Sequence, residues 1–142
     1  MMIGYLTLAA GLAIGLTTSG ASAANSAKPD RSVSVRWLGS AGKNLKVKVV
    51  PATPLIETPL GVRKEARFRF QNVSDRPVSF KAIHNVDPGQ AEKYVSKTVC
   101  FCFSRQTLKP REIKELPIWY TINEKLPSDI SDMVISYSLV PS

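Results

Sequence analysis

The sequence predicts an all-β fold, and three observations carry that reading. Apolar and polar residues alternate with a period of two in several separate stretches. Turn-forming clusters recur between those stretches at the roughly 8 to 12 residue spacing of short-stranded domains. No stretch after residue 30 has the 3.6-residue apolar period of an amphipathic helix. Together they describe an antiparallel β-sandwich of immunoglobulin-like size, preceded by an apolar export or anchor segment.

The strands follow in order. Val33, Val35 and Trp37 alternate with Ser32, Ser34 and Arg36, and Leu45, Val47 and Val49 alternate with Lys46 and Lys48, with Gly39 to Asn44 as the turn between. Leu55 and Ile56 lie between Pro54 and Pro59, which restricts them to a short or edge strand because proline cannot donate to a ladder. Ala66, Phe68 and Phe70 alternate with Arg67, Arg69 and Gln71, and Asn72 to Pro77 forms the next turn. Val78 to Val86 is a strand closed by Asp87-Pro88-Gly89, and Ala91 to Ser96 is an irregular turn. A strand from Lys97 to Ser104 leads through Lys109-Pro110-Arg111 into Ile113 to Ile122, which Pro117 bends or bulges. After the loop Asn123 to Asp132, Met133, Ile135, Tyr137 and Leu139 form a last strand. Seven to nine strands result, with Trp37, Phe68, Phe70, Phe80, Phe101, Phe103, Trp119 and Tyr137 as the expected core.

The chain has 142 residues, 44% of them hydrophobic and 21% charged, which suits one globular domain. Its first charged residue is Lys28. Leu6 to Leu16 is an apolar run of signal-peptide length, and Ala21-Ser22-Ala23 is a small-residue cleavage pattern. Residues 1–27 therefore read as a signal peptide or membrane anchor, and 28–142 as an exported domain, either tethered at the periplasmic face of the inner membrane or free in the periplasm. That domain carries all 19 basic and 11 acidic residues, hence the whole net charge of +8. The basic residues are scattered and form no stripe with stacking aromatics, so an anionic membrane surface or acidic partner fits better than nucleic acid. No catalytic constellation emerges: with a single histidine and no neighbouring serine-carboxylate pattern, hydrolase chemistry has little support, and the chain is not expected to be an enzyme.

The chemistry concentrates at Cys100 and Cys102, the only two cysteines. On a strand from Lys97 to Ser104 they share one face, with Val99, Phe101 and Phe103 on the other. Their Cα atoms would then lie ~6.6 Å apart, at the upper limit for a disulfide, so an internal bond is not expected. A pair of thiolates suits a soft ion that accepts few ligands. Copper(I) meets that description, whereas zinc wants four ligands. Two sulfurs leave such an ion open to a second copy of the chain or to an acceptor. His84 and Met133 are candidate auxiliary ligands, although each is also an ordinary strand residue.

The run from Lys97 through Cys100-Phe101-Cys102-Phe103-Ser104-Arg105-Gln106-Thr107-Leu108-Lys109-Pro110 resembles the hallmark of the CtaG family of cytochrome c oxidase assembly proteins. Asn72 to Val78, Asn85 to Pro88, Leu116-Pro117-Ile118 and Ile135-Ser136-Tyr137 are also similar to that family, so the likeness covers about Arg63 to Val140. The resemblance implies a copper(I) chaperone in which Cys100 and Cys102 bind copper destined for the copper B centre of oxidase subunit I. It also implies a copper donor protein and copper-bridged homodimers. Departures mark a divergent or shortened member. Ala24 to Arg36 lacks the family's further cysteine, Leu45 to Pro51 replaces its early tryptophan-containing motif, His84 replaces a tyrosine, and Arg111 replaces a glycine after Pro110. Two alternatives remain open at this stage: a thiol-disulfide redox protein acting on copper-site partners, and a metal-free exported module that binds partners along its strand edges.

Overall fold

The computed structural model describes residues 31–142, so the expected export or anchor segment lies outside the described residues. The strands are β1 (Ser32–Ala41), β2 (Val47–Pro51), β3 (Leu55–Pro59), β4 (Lys64–Asn72), β5 (Val78–Asp87), β6 (Val95–Val99), β7 (Gln106–Leu108), β8 (Ile113–Ile122) and β9 (Asp132–Pro141). Short 3-10 turns at Gly89–Tyr94 and Phe101–Phe103 flank β6. One sheet has the order β3-β1-β9-β5-β7 and the other β2-β4-β8-β6. Each strand thus lies in the sheet opposite its predecessor, and no two consecutive strands pair.

Alternation along the strands builds the core. Val33, Val35 and Trp37 of β1, Phe68 and Phe70 of β4, Ile118, Tyr120 and Ile122 of β8 and Met133, Ile135, Tyr137 and Leu139 of β9 are all essentially inaccessible to solvent. Trp37 joins the sheets, meeting Phe68 and Tyr120 edge-on on one side and stacking on Tyr137 at 6.5 Å on the other. Burying rings of this size contributes on the order of 2 to 3 kcal/mol each. Gly39 belongs to this contact, since a Cβ there would lie 3.0 Å from Val49 and 3.1 Å from the Phe68 ring. Asn72, fully buried, is satisfied by bonds from its amide to the carbonyls of Arg76 and Lys109 and by accepting from the Ser74 amide. It ties the β4–β5 and β7–β8 turns together.

Several expectations are corrected. The strands are not all antiparallel: β1 runs parallel to β9, from Ser34 opposite Asp132 to Ala41 opposite Leu139. Turn signals govern neighbours in sequence, and β1 and β9 are the first and last strands, so no turn dictates their relative direction. β1 also continues to Ala41, into the stretch expected to turn. Phe103 is 63% exposed, and Trp119 lies on the outer face of β8 beneath the Arg63 guanidinium, 4.4 Å from its ring centroid. The core takes Tyr120 instead, because apolar residues of both parities crowd β8 and the inward set is Ile118, Tyr120 and Ile122. Pro117 breaks no ladder: it pairs opposite Arg67, and β6 covers the other edge of β8 only as far as Trp119. The expected edge strand at Leu55 and Ile56 is β3, which ends the five-stranded sheet.

Candidate functional site

The expected continuous strand from Lys97 to Ser104 does not form. β6 ends at Val99 in the four-stranded sheet, and β7 begins at Gln106 in the five-stranded one. The cysteines occupy the crossing between sheets. Cys100 and Ser104 are extended, and Phe101–Phe103 make one 3-10 turn closed by the Phe103 amide donating to the Cys100 carbonyl at 3.1 Å. Alternation alone could not reveal this, because the run keeps strand-like chemistry while the backbone changes sheets.

Phe101 holds the turn. Its ring is buried against Phe70 at 4.9 Å, Tyr137 at 4.9 Å and Phe68 at 5.5 Å. The Gln106 side chain closes the far side, its amide donating to the carbonyls of Phe101 and Ser104 and to the Ser104 hydroxyl. With the middle residue pinned inward, the cysteines on either side are drawn together, their Cα atoms 5.1 Å apart. That separation is within disulfide range, unlike the spacing of an extended strand. Their sulfurs are bonded, which corrects the expectation that the pair would not close.

The two sulfurs differ in surroundings. Cys100 is 7% exposed, and its Sγ accepts a bond from the Cys102 backbone amide at 3.1 Å. The Tyr137 hydroxyl lies 3.4 Å from the same sulfur. A disulfide sulfur carries no proton, so Tyr137 is the donor. Burial pushes the Tyr137 hydroxyl well above the ordinary tyrosine range, which keeps that proton in place. Cys102 is only partly buried at the edge of the core. Tyr137 was legible as a core aromatic, and a buried tyrosine hydroxyl needs a partner. Which partner it finds depends on the sheet crossing, which the sequence does not display.

The auxiliary candidates are placed elsewhere. His84 pairs opposite Tyr137 in the β5–β9 register, but its Nε2 meets Glu92 at 3.1 Å. Met133 is 1% exposed and sits in the core opposite Val35. Among the described residues, no group of three or more His, Cys, Asp or Glu side chains is arranged to hold a metal ion. The closely spaced sulfurs of Cys100 and Cys102 are the candidate thiolate site, with no third His, Cys, Asp or Glu donor grouped with them among the described residues. Lys97, in β6, is held below the ordinary lysine range by its burial, with Glu92 pulling it back up.

An all-β domain that presents a Cys-x-Cys pair on a turn between two sheets is a paired-thiol protein, suited to soft-metal binding or thiol exchange. The sequence profile of the family described as cytochrome c oxidase assembly protein CtaG/Cox11 matches residues 5–141. The chain belongs to the CtaG/Cox11 family. It is 33% identical over 126 residues to a cytochrome c oxidase assembly protein CtaG of Paracoccus denitrificans, covering 86% of this chain and 65% of that one. A protein of the same name from Ehrlichia ruminantium (strain Welgevonden) is 30% identical over 129 residues, covering 87% of this chain and 73% of that one. The Rsm22-cox11 tandem protein 2, mitochondrial, of Schizosaccharomyces pombe is 31% identical over 116 residues, covering 78% of this chain and 15% of that one. This chain thus spans about two thirds of the length of these bacterial relatives.

Proposed function

We propose that this protein is a copper(I) chaperone of cytochrome c oxidase assembly, which carries copper on Cys100 and Cys102 and delivers it to the copper B centre of subunit I. The observation that carries the reading is the paired-thiol turn in a chain of the CtaG/Cox11 family. Thiolates select soft ions, and the lack of a clustered third donor among the described residues favours an ion content with two sulfurs. An ion so held keeps an open side for the acceptor, or for a second copy of the chain in a copper-bridged dimer. Its place is the periplasmic face of the inner membrane, where a net charge of +8 favours an anionic surface. The fold is of the immunoglobulin-like sandwich type, and the protein acts as an assembly factor and not as an enzyme.

One observation favours a second reading, thiol-disulfide exchange with copper-site partners: the sulfurs are bonded to each other. Metal loading and oxidation compete for the same two atoms, so the pair must be reduced before it can take copper. The delivery reading is tested in a bacterial host that lacks its own CtaG-type protein. Expression of this chain is expected to restore the copper B content and activity of the oxidase, and the Cys100→Ser, Cys102→Ser double variant is expected to restore neither. Full restoration by the double variant would contradict the proposal.

A further inference from the structure

The two sulfurs of the turn are chemically alike but placed differently, and thiol-disulfide exchange depends on that placement. An attacking thiolate approaches one sulfur along the S–S axis, from the side opposite the sulfur that leaves, so access selects the target and hydrogen bonding of the departing thiolate assists the step. Cys100 is 7% exposed, backed by Tyr137 and flanked by the buried ring of Phe101. Cys102 is at the margin of the core, next to the 63% exposed Phe103. The two hydrogen bonds to sulfur in this turn, from the Tyr137 hydroxyl and from the Cys102 amide, both end on Cys100.

We infer that reducing thiols enter this site at Cys102 and expel Cys100, whose thiolate is received by the Tyr137 hydroxyl and the Cys102 backbone amide. In the first step a thiolate attacks Cys102 Sγ, a new S–S bond forms to the incoming sulfur, the Cys100–Cys102 bond breaks, and its electron pair leaves on Cys100 Sγ. In the second step another molecule of the same thiol attacks the incoming sulfur of the mixed disulfide. This releases the Cys102 thiolate and an oxidised thiol dimer, so two electrons reduce the pair to the dithiol. Tyr137 is a positioning residue: its hydroxyl gives a neutral hydrogen bond to the disulfide and a charge-assisted, stronger one to the departing thiolate. The direction of entry does not depend on copper and goes beyond the chaperone reading.

The test uses the oxidised, metal-free full chain with excess glutathione, quenched with acid at early times, alkylated with iodoacetamide and sequenced by fragmentation mass spectrometry between residues 100 and 102. The expected early product carries glutathione on Cys102 and the alkyl group on Cys100, in at least about tenfold excess over the reverse. The reverse product, or an even mixture, would overturn the inference. Tyr137→Phe keeps the ring and removes only the donor. It is expected to slow the first step about tenfold, the effect of losing one hydrogen bond to a charged group. An unchanged rate in that variant would remove Tyr137 from the mechanism, while the mapping on the parent chain would still decide the direction of entry. Failure of copper loading in a separate titration would leave both results unaffected.

Discussion

Phe101 meets Phe70 edge-on, their ring centroids 4.9 Å apart and their planes at 82°. Through this contact the residue between the two cysteines is fixed to β4 of the four-stranded sheet. Its neighbours Tyr137 and Phe80 belong to the five-stranded sheet, Tyr137 touching Phe101 directly and Phe80 stacking on Phe70. The turn that brings the sulfurs together is thus an extension of the core and not a surface loop.

Truncating that anchor is predicted to affect stability and site together. Phe101→Ala should lower unfolding stability by about 3–5 kcal/mol, the usual cost of removing a buried phenylalanine ring, and Phe101→Leu by roughly half as much. Denaturant melts of the oxidised chain measure this. A loss below about 1 kcal/mol for Phe101→Ala would show that the ring does not carry the turn.

Tyr120 gives a pH prediction. Its hydroxyl is 2.8 Å from that of Thr58 in the core, and burial raises its ionisation above the ordinary tyrosine range, against the opposing effect of the hydrogen bond shared with Thr58. An unfolded tyrosine loses its proton near pH ~10. The folded residue holds its proton to higher pH, so this contribution is complete below pH ~10 and is lost as pH rises through the folded value. Lys97, lowered by burial, acts with the opposite sign, so the informative quantity is the difference between parent and Tyr120→Phe at each pH. The variant should be less stable at pH 7 by about 1 kcal/mol for the lost hydrogen bond, with that gap shrinking above pH ~10. A gap that stays constant to pH 11 would contradict the assignment.

Arg111 concerns backbone strain. Its φ of 61° lies in the left-handed region that glycine adopts without cost. The side chain offsets part of that cost through bonds to the Asp75 carboxylate and the Val73 carbonyl, all of them exposed. Exposed pairs of this kind contribute about 0–1 kcal/mol, comparable to the conformational cost. Arg111→Gly is therefore predicted to change stability by less than about 1 kcal/mol, and Arg111→Val to destabilise by about 1–2 kcal/mol, since a β-branched residue is poorly accommodated at this φ. Equal effects from the two substitutions would refute this reading of the turn.

Much of this was legible in the chain. The alternation around Trp37, Phe68, Phe80 and Ile135 placed their strands and inward faces correctly, because those strands are half-buried and period two is then enforced by the core. The edge position of Leu55 and Ile56 followed from flanking prolines. What alternation could not show was where the chain leaves a sheet: Val99 and Phe103 keep the apolar parity of Phe101, yet both are exposed, Val99 as the last residue of β6 and Phe103 in the turn beyond it. The paired thiols were visible as a motif, but their closeness depends on the 3-10 turn, and the bond from Tyr137 to Cys100 on a register set 37 residues away. Both arise from long-range packing that local pattern does not encode.

The central claim is that Cys100 and Cys102 hold copper(I). It is tested most directly by titrating the reduced full chain with copper(I) under anaerobic conditions, beside the Cys100→Ser, Cys102→Ser double variant, and measuring bound copper per chain together with the copper–sulfur signature in X-ray absorption. The account predicts about one copper per chain with sulfur ligands in the parent, and neither in the double variant. Equal background copper in both proteins would contradict it.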